Sequence, residues 1–188
     1  TQTVSDPAFT AHIGRWDANI VSRFFEPGDG AGVDFPLATE FGYSTDRTPD
    51  AQLANLSGLG ASVNFSSVHG FGSDELGQGF VIGAGILQFD VDFVGMQITQ
   101  AFFNVNDNQG RQWFFSGSGL GVSLENDFFV GLSGTCSGCA SGSSAEAYFN
   151  TTFVGAQAEG ALGSFGAQTG TLSVDALEAI AGIAVYKR

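Results

Sequence analysis

The sequence predicts an all-β protein, an eight-stranded antiparallel up-and-down barrel preceded by an irregular N-terminal segment with short strands. The first observation is that no Pro occurs after position 49, and Pro is excluded from strand interiors because it cannot donate to a ladder. The second is that apolar and polar residues alternate in short runs from about residue 60 onward, which is the period of half-buried strands. The third is a content of 28 Gly and 19 Phe residues, which suits tight turns around a core of large rings.

The distribution of Pro divides the chain into two regions. Pro7, Pro27, Pro36 and Pro49 all lie in the first region, together with three of the five Arg residues. We therefore expect residues 1–58 to be an irregular or short-stranded segment that packs on the barrel or extends from it. Residues 59–188 are expected to form the barrel.

Eight segments of the second region have strand character. The cleanest alternation puts Leu87, Phe89 and Val91 on one face and Gln88 and Asp90 on the other, as expected for a half-buried strand. The predicted strands are 61–68, 85–93, 97–105, 112–117, 128–134, 145–153, 160–168 and 180–186. Turn-forming residues separate them, and Asn106 to Gly110 is the strongest of these signals.

Short strands at this spacing favour a closed antiparallel barrel. Eight strands leave an interior that side chains fill, or that holds one small ligand. A transmembrane barrel would carry a continuous apolar band on its outer face. The outward positions Gln88, Asp90 and Asp92 are polar instead, so we expect a barrel that does not span a membrane.

The charge balance excludes several classes of partner. Lys187 is the only Lys, and the five Arg residues face 19 acidic residues, for a net charge of −13. Such a chain cannot neutralise the phosphates of a nucleic acid or the surface of an anionic membrane. The N-terminal residues resemble no signal peptide and include no initiator Met, so we expect a chain that is processed or cut from a longer precursor.

The most specific sequence signal spans residues 153–166. It resembles the barrel signature of bacterial transferrin-binding protein B and related surface lipoproteins, which runs aromatic, any residue, Gly, Pro, any residue, Ala, any residue, Glu, apolar, Gly, Gly, any residue, Phe. The residues that match in register are Phe153, Gly155, Ala158, Gly163 and Phe165. Three positions depart from it, because Ala156 replaces the Pro, Glu159 stands one place early and Leu162 occupies a Gly position.

The resemblance covers residues 60–188, and residues 10–60 more loosely. It implies a TbpB-like C-terminal barrel domain of a surface or secreted bacterial protein, located extracellularly or at the outer membrane. Members of that family bind proteins or small ligands, and no contact residues carry over to this chain. The motif residues themselves are expected to be structural, with Gly155 and Gly163 allowing positive φ or close backbone approach at a strand connection.

Cys136 and Cys139 are the only cysteines of the chain. A redox site needs a thiol at a helix N-terminus, whereas the flanking Thr135 and Ala140-Ser141-Gly142 are typical of a loop. We therefore predict a small disulfide that pins this loop, which implies an oxidising compartment.

Cofactor sites have little support in the sequence, and we expect no cofactor and no metal site. A haem alternative would use His12 or His69 as the axial ligand, with Met96 or a Tyr opposite. A calcium alternative would use the oxygen-rich run 104–110, which lacks the ligand spacing of a calcium loop and its distal Glu. No motif of a nucleophilic or acid–base enzyme is present, so we predict a protein that is not an enzyme.

One aromatic and basic cluster is a candidate for partner contact. Its members are Arg15, Trp16, Arg23, Phe24 and Phe25. Either these residues pack against the barrel, with Arg stacked on Trp, or they contact a protein partner. The function that we predict is an exported binding domain for a protein or small ligand. The alternatives are a structural subunit of an extracellular assembly or filament, with self-association, and a carrier of haem or another small molecule.

Overall fold

A computed structural model describes residues 2–25, 32–125, 127–140, 142–169 and 178–188, with the side chains of residues 15–41 outside the description. The described strands are β1 (Gln2–Asp6), β2 (Phe9–Phe25), β3 (Gly32–Ser44), β4 (Val63–Asp74), β5 (Gly79–Ile82), β6 (Leu87–Asp92), β7 (Gln97–Asn106), β8 (Gln112–Ser123), β9 (Asp127–Ser137), β10 (Ser144–Val154), β11 (Gly160–Thr169) and β12 (Ala179–Lys187). A single helical turn, α1 (Asp50–Leu53), and a 3-10 helix (Leu56–Leu59) precede β4.

The strands from β4 onward form the predicted closed antiparallel barrel. Its order is β4, β6, β7, β8, β9, β10, β11 and β12, and β12 pairs with β4 to complete the circle. An extra strand, β5, continues along the edge of β4 at Gly70 to Ser73, where β6 no longer pairs with it. The prediction of an eight-stranded up-and-down barrel is therefore confirmed, with one strand added.

The N-terminal residues form a separate three-stranded antiparallel sheet, β1-β2-β3. The strand β1 is short, whereas β2 and β3 extend over 17 and 13 residues. Pro36 lies inside β3, opposite Val21 of β2. Pro is tolerated at the edge of a sheet, and β3 pairs only with β2 in this sheet.

A second apolar cluster joins this sheet to the outside of the barrel. Phe9, Ala11 and Ile13 of β2 are buried against apolar residues of β10, β11 and β12, among them Leu162 and Ile183. Gly42 of β3 completes the contact, because a Cβ there would lie 3.1 Å from Cδ1 of Leu162. The N-terminal sheet therefore packs on the barrel wall, while the domain boundary near residue 59 stays a prediction.

The interior of the barrel is filled by aromatic side chains. Phe65 and Phe89 stack with ring centroids 5.0 Å apart, and the Phe153 ring contacts both of them in a T-shaped geometry. Farther along, Phe103 lies 5.6 Å from Phe165 in a T-shaped contact. These T-shaped contacts are the geometry that aromatic quadrupoles favour.

The two ends of the barrel are closed in different ways. At the end where β10 terminates, Leu53 of α1 and Leu56 of the 3-10 helix are buried in the barrel core. Thr48 fastens this segment, because its N–H donates to the carbonyl of Phe153 (3.0 Å) and its hydroxyl donates to the carbonyl of Gly155 (2.7 Å). At the opposite end, charged side chains replace the apolar plug.

Tyr186 places a hydroxyl group inside this apolar core. Its side chain is fully buried, its ring lies 5.2 Å from that of Phe89, and its hydroxyl has no hydrogen-bond partner among the described residues. Burial raises the pKa of Tyr186. A buried polar atom without a partner costs folding free energy.

We therefore expect Tyr186→Phe to leave the free energy of unfolding unchanged or to raise it by up to about 1 kcal/mol. The measurement is the urea unfolding midpoint at constant m-value. Tyr148→Phe is the matched control and should change nothing, because the Tyr148 side chain is 43% exposed. A loss of stability in Tyr186→Phe would show that the hydroxyl is satisfied and contradict this account.

Candidate functional site

The motif of residues 153–166 forms the connection between β10 and β11. Gly155 has φ +88°, and Ala158 is the buried residue of the turn with φ +53°. The N–H of Gly155 donates to the carbonyl of Asp46 (2.6 Å), which ties the turn to the N-terminal segment. Phe153 and Phe165, at its two ends, are buried in the barrel core. The motif residues thus lie in the barrel core or in the turn between β10 and β11, and their structural role stays a prediction.

Position 163 of the motif requires Gly because strand β10 lies close to it, and not because of its backbone φ angle. A Cβ at this position would lie 2.7 Å from the carbonyl oxygen of Asn150 and would collide with Oγ1 of Thr151 on the neighbouring strand β10. Backbone cannot move aside as a flexible side chain does.

We expect Gly163→Ala to lower the free energy of unfolding by about 1–3 kcal/mol, which is the usual cost of overpacking. Gly58→Ala is the matched control, since nothing lies within 4 Å of a Cβ built at Gly58. That control should be unchanged or slightly stabilised through the unfolded chain. The measurement is denaturant unfolding of both variants. Equal free energies of unfolding for Gly163→Ala and Gly58→Ala would contradict a steric role for Gly163.

An ionic cluster closes the barrel at the end opposite α1. The guanidinium of Arg111 forms a two-pronged ion pair with Glu75, with Nη1 to Oε1 at 2.7 Å and Nη2 to Oε2 at 2.8 Å. Its Nε lies 2.6 Å from Oδ2 of Asp107, and Nη1 lies 3.4 Å from Glu178. The Arg111 and Asp107 side chains are almost fully buried. Such charges are tolerated in a buried position because each is paired and hydrogen-bonded.

Hydrogen bonds from neighbouring elements extend this cluster. The indole N–H of Trp113 donates to Oδ2 of Asp107 (3.0 Å), and the Arg111 guanidinium lies 5.5 Å from the centre of the Trp113 ring. The N–H of Ala140 donates to Glu178 (3.1 Å). Four connections between strands therefore meet at this cluster, namely β4–β5, β7–β8, β9–β10 and β11–β12.

The run 104–110, considered above for calcium, contributes to this cluster as a turn. Oδ1 of Asp107 accepts the N–H groups of Gln109 (2.9 Å) and Arg111 (3.0 Å). Its other carboxylate oxygen is taken by Arg111 and Trp113. Among the described residues, no group of three or more His, Cys, Asp or Glu side chains is arranged to hold a metal ion. The expectation about metal ions and other cofactors stays a prediction.

Glu75 makes the stability of this cluster depend on pH. Burial disfavours the charged carboxylate, but hydrogen bonds from Arg111 and from the N–H of Ala179, with the positive charge of Arg111, lower the pKa of Glu75 overall. A carboxyl group whose pKa is lower in the folded state stabilises the fold above its unfolded pKa. That stabilisation is lost as the pH falls through the folded pKa.

We expect Glu75→Gln to lose about 1.5–3 kcal/mol of stability at pH 7, the range for hydrogen bonds to charged groups. Its stability should also fall less steeply than that of the native chain below about pH 4.3, the unfolded value for Glu. Denaturant unfolding at a series of pH values measures both effects. Glu125→Gln, at an exposed carboxyl group, is the control and should follow the native curve. Equal slopes for the native chain and Glu75→Gln would contradict the assignment.

The two cysteines lie beside the ionic cluster. The Cys136 and Cys139 sulfurs are at disulfide-bonding distance, with the Cα atoms 5.7 Å apart. Cys136 is buried opposite Trp113 of β8. A Cβ at Gly138 would lie 3.7 Å from Cα of Arg111, so the loop between the two cysteines packs on the cluster.

The two His residues lie in different settings. His12 of β2 contacts the Tyr43 ring at 4.7 Å and shares a 3.1 Å hydrogen bond with the hydroxyl of Thr3. His69 of β4 meets the Phe71 ring at 5.0 Å. Met96 lies in the turn between β6 and β7, with φ +52°. The partner-contact candidates Arg15, Trp16, Arg23, Phe24 and Phe25 fall on β2, but their side chains lie outside the described residues.

An exposed aromatic pair on the outer wall of the barrel is the feature that the sequence analysis missed. The Phe129 side chain of β9 is 61% exposed and that of Tyr148 of β10 is 43% exposed. Their ring centroids lie 6.0 Å apart and the ring planes differ by 17°. Burial raises the pKa of the Tyr148 hydroxyl, so it is uncharged at neutral pH.

Polar side chains flank these rings on the same wall. Glu146 of β10 lies across from Ser133 of β9 on one side and from Gln168 of β11 on the other. Together with Phe129 and Tyr148 these three residues line a shallow concavity of about 420 Å³. We call these five residues the aromatic face.

A sequence signal for this surface exists in neighbouring aromatic residues. Because successive residues of a strand point to opposite faces, two adjacent aromatic residues cannot both be buried in the barrel. Phe128 is buried while Phe129 is exposed, and Phe149 is buried while Tyr148 is exposed.

A second aromatic pair, Phe102 and Phe114, lies on the same outer wall. Phe114 pairs with Thr135 on β9, six positions from Phe129, so the two pairs are well separated. The planes of the Phe102 and Phe114 rings are nearly perpendicular, at 82°, with centroids 5.6 Å apart. The Phe102 and Phe114 rings therefore pack against each other edge to face, so they form no flat surface.

Comparisons with known proteins give a resemblance in structure only. No protein-family model matches the chain, and no curated protein matches it. Two solved structures of transferrin binding protein B (TbpB) from Haemophilus parasuis Hp5, a single and a double mutant, are similar to it at 14% identity. The first has a TM-score of 0.43 over 80% of this chain and 30% of that chain, and the second 0.35 over 99% and 37%. The chain thus spans about a third of the length of these structures.

No helix among the described residues has both the length and the apolar character needed to cross a bilayer.

Proposed function

We propose that this chain is a non-enzymatic, exported bacterial binding domain that recognises a protein or small ligand on the aromatic face, without a resident cofactor. The observation that carries the proposal is the exposure of Phe129, whose side chain is 61% exposed on the barrel wall beside Tyr148. Exposed aromatic residues flanked by polar groups are typical of interaction sites. The three flanking residues of the aromatic face supply those polar groups.

The packing of the barrel favours a ligand on the outer wall over one inside it. Large rings such as Phe65, Phe89 and Phe103 are buried, and they contact the rings of Phe153 or Phe165 on non-adjacent strands. The ends are occupied by Leu53 and Leu56 on one side and by the Arg111 cluster on the other. A carrier of haem or lipid would need that interior space.

Two features support export. The Cys136 and Cys139 pair is at disulfide-bonding distance, and disulfides persist in oxidising compartments. The net charge of −13 keeps a Phe-rich chain soluble outside the cell.

The test is native mass spectrometry of the protein isolated from its own source, comparing two double variants. We expect the native chain to carry additional bound mass, because a buried aromatic contact accounts for much of a typical binding free energy. Phe129→Ser with Tyr148→Ser should lose that mass. Phe102→Ser with Phe114→Ser, the matched pair on the same outer wall, should keep it.

Each alternative function has its own outcome in the same spectra. Loss of bound mass in both double variants or in neither would place binding elsewhere and contradict the proposal. Multiples of the chain mass that disappear only in the Phe129 and Tyr148 variant would mean that the aromatic face joins copies of the chain, as in an extracellular assembly. Unfolding midpoints of both variants control for folding.

A further inference from the structure

Resting on the proposed function, we propose that the aromatic face binds an Arg-bearing segment of a partner protein. The guanidinium would stack on the rings of Phe129 and Tyr148 and pair with the carboxylate of Glu146. Three features of this surface support the proposal. They are the orientation of the two rings, the unpaired carboxylate of Glu146, and the charge around the concavity.

The first feature is the orientation of the Phe129 and Tyr148 rings on the barrel wall. The Tyr148 ring lies directly over Gly166 of β11, since a Cβ there would be 2.5 Å from Cε1 of the ring. The Phe129 ring leans toward Gly131, where a Cβ would be 3.9 Å from Cε1. With 6.0 Å between their centroids and 17° between their planes, the two rings are nearly parallel. A guanidinium is planar and stacks on the face of an aromatic ring, whereas a compact ammonium gains less from this contact.

The second feature is an unpaired carboxylate at the edge of the rings. Glu146 is exposed two positions before Tyr148 on β10, on the same face of the strand. Among the described residues it forms no ion pair. The other exposed carboxylate on this wall, Asp127, is already bound to Arg47 at 2.8 Å. The carboxylate of Glu146 is therefore available to accept hydrogen bonds from two N–H groups of an Arg guanidinium.

The third feature is the negative charge of the concavity and of the whole chain, which favours a basic ligand. No Lys or Arg of the described part of the chain lines the concavity, and the chain as a whole carries a net charge of −13. Anionic ligands are repelled by this field, and basic ones are attracted to it. A neutral glycan would also stack on aromatic rings, and its hydroxyl groups would donate hydrogen bonds to Glu146, but its binding would not weaken as salt is raised. The salt dependence therefore separates the two ligand classes.

The experiment follows the ring proton signals of Phe129 and Tyr148 by NMR while a peptide is added to the full chain. The probe is a pentapeptide of alternating Gly and Arg, and its control is the same peptide with citrulline, the uncharged isostere, at both Arg positions. We expect the Arg peptide to shift both ring signals and to bind less tightly as salt is raised. The citrulline peptide should bind markedly more weakly.

Two charge variants test the carboxylate. Glu146→Gln should weaken the Arg peptide by about two- to fivefold, as expected for an exposed ion pair. Glu125→Gln is the matched control, because it removes the same charge at an exposed position at the α1 end of the barrel and should leave binding unchanged.

Several results would overturn the inference. Equal binding of the Arg and citrulline peptides would do so, and so would equal weakening by both Glu variants, which would indicate long-range charge alone. A neutral glucose hexasaccharide that shifts the ring signals while the Arg peptide does not would retain a binding role for the aromatic face and exclude the Arg ligand. Absence of any shift, together with no bound mass in the native spectra, would remove both proposals.

Discussion

The pairing of β12 with β4 is the contact on which the rest of the structure depends, because it turns an open sheet into a barrel. Glycines line this seam on both strands. A Cβ at Gly70 would lie 2.5 Å from the carbonyl oxygen of Ile183, and one at Gly182 would lie 2.7 Å from Cα of Gly72. Side chains at these positions would hold the two strands apart. Closure also removes the exposed edges that make Phe-rich sheets aggregate.

Closure determines where recognition can occur. A barrel of eight strands has an interior that side chains can fill, and here they fill it with Phe rings. The ends are then sealed by an apolar plug at α1 and by the Arg111 cluster, which ties four strand connections together. The proposal therefore places the ligand on the outer wall. Part of that wall is covered by the N-terminal sheet, which buries Leu162 and Ile183.

The sequence predicts the barrel well because most barrel strands, such as β6, β9 and β10, alternate between core and solvent. It does not predict β5, since Phe80 and Ile82 follow Gly79 in a run too short to distinguish from a turn. It also underestimates β8, which continues past the predicted 117 to Ser123 through Gly119 and Gly121, both at positive φ. Gly119, Leu120 and Gly121 form a bulge opposite Thr99 of β7. A bulge interrupts the period-2 pattern on which strand prediction depends.

The candidate site was harder to predict than the fold because its residues are ordinary strand residues. Chemical motifs drew attention to the cysteines, to the run 104–110 and to the 153–166 signature, and the structure places all of these in contacts that stabilise the barrel. The aromatic face has no such motif. Only the adjacent aromatic residues indicate it, and the sequence pattern alone does not show which of the two rings lies outside the barrel.

Packing accounts for one of the two exposed rings but not for the other. Tyr148 covers Gly166, and an aromatic ring over a cross-strand Gly stabilises a sheet by shielding its backbone. Phe129 covers Gly131 less closely, because even a Cβ built at Gly131 would lie 3.9 Å from Cε1 of Phe129 and the residue is 61% exposed. A smaller polar residue at position 129 would leave the core untouched, since the adjacent Phe128 supplies the buried ring. The packing of the barrel therefore does not require Phe at this exposed position, and this supports the proposed role of the aromatic face in binding.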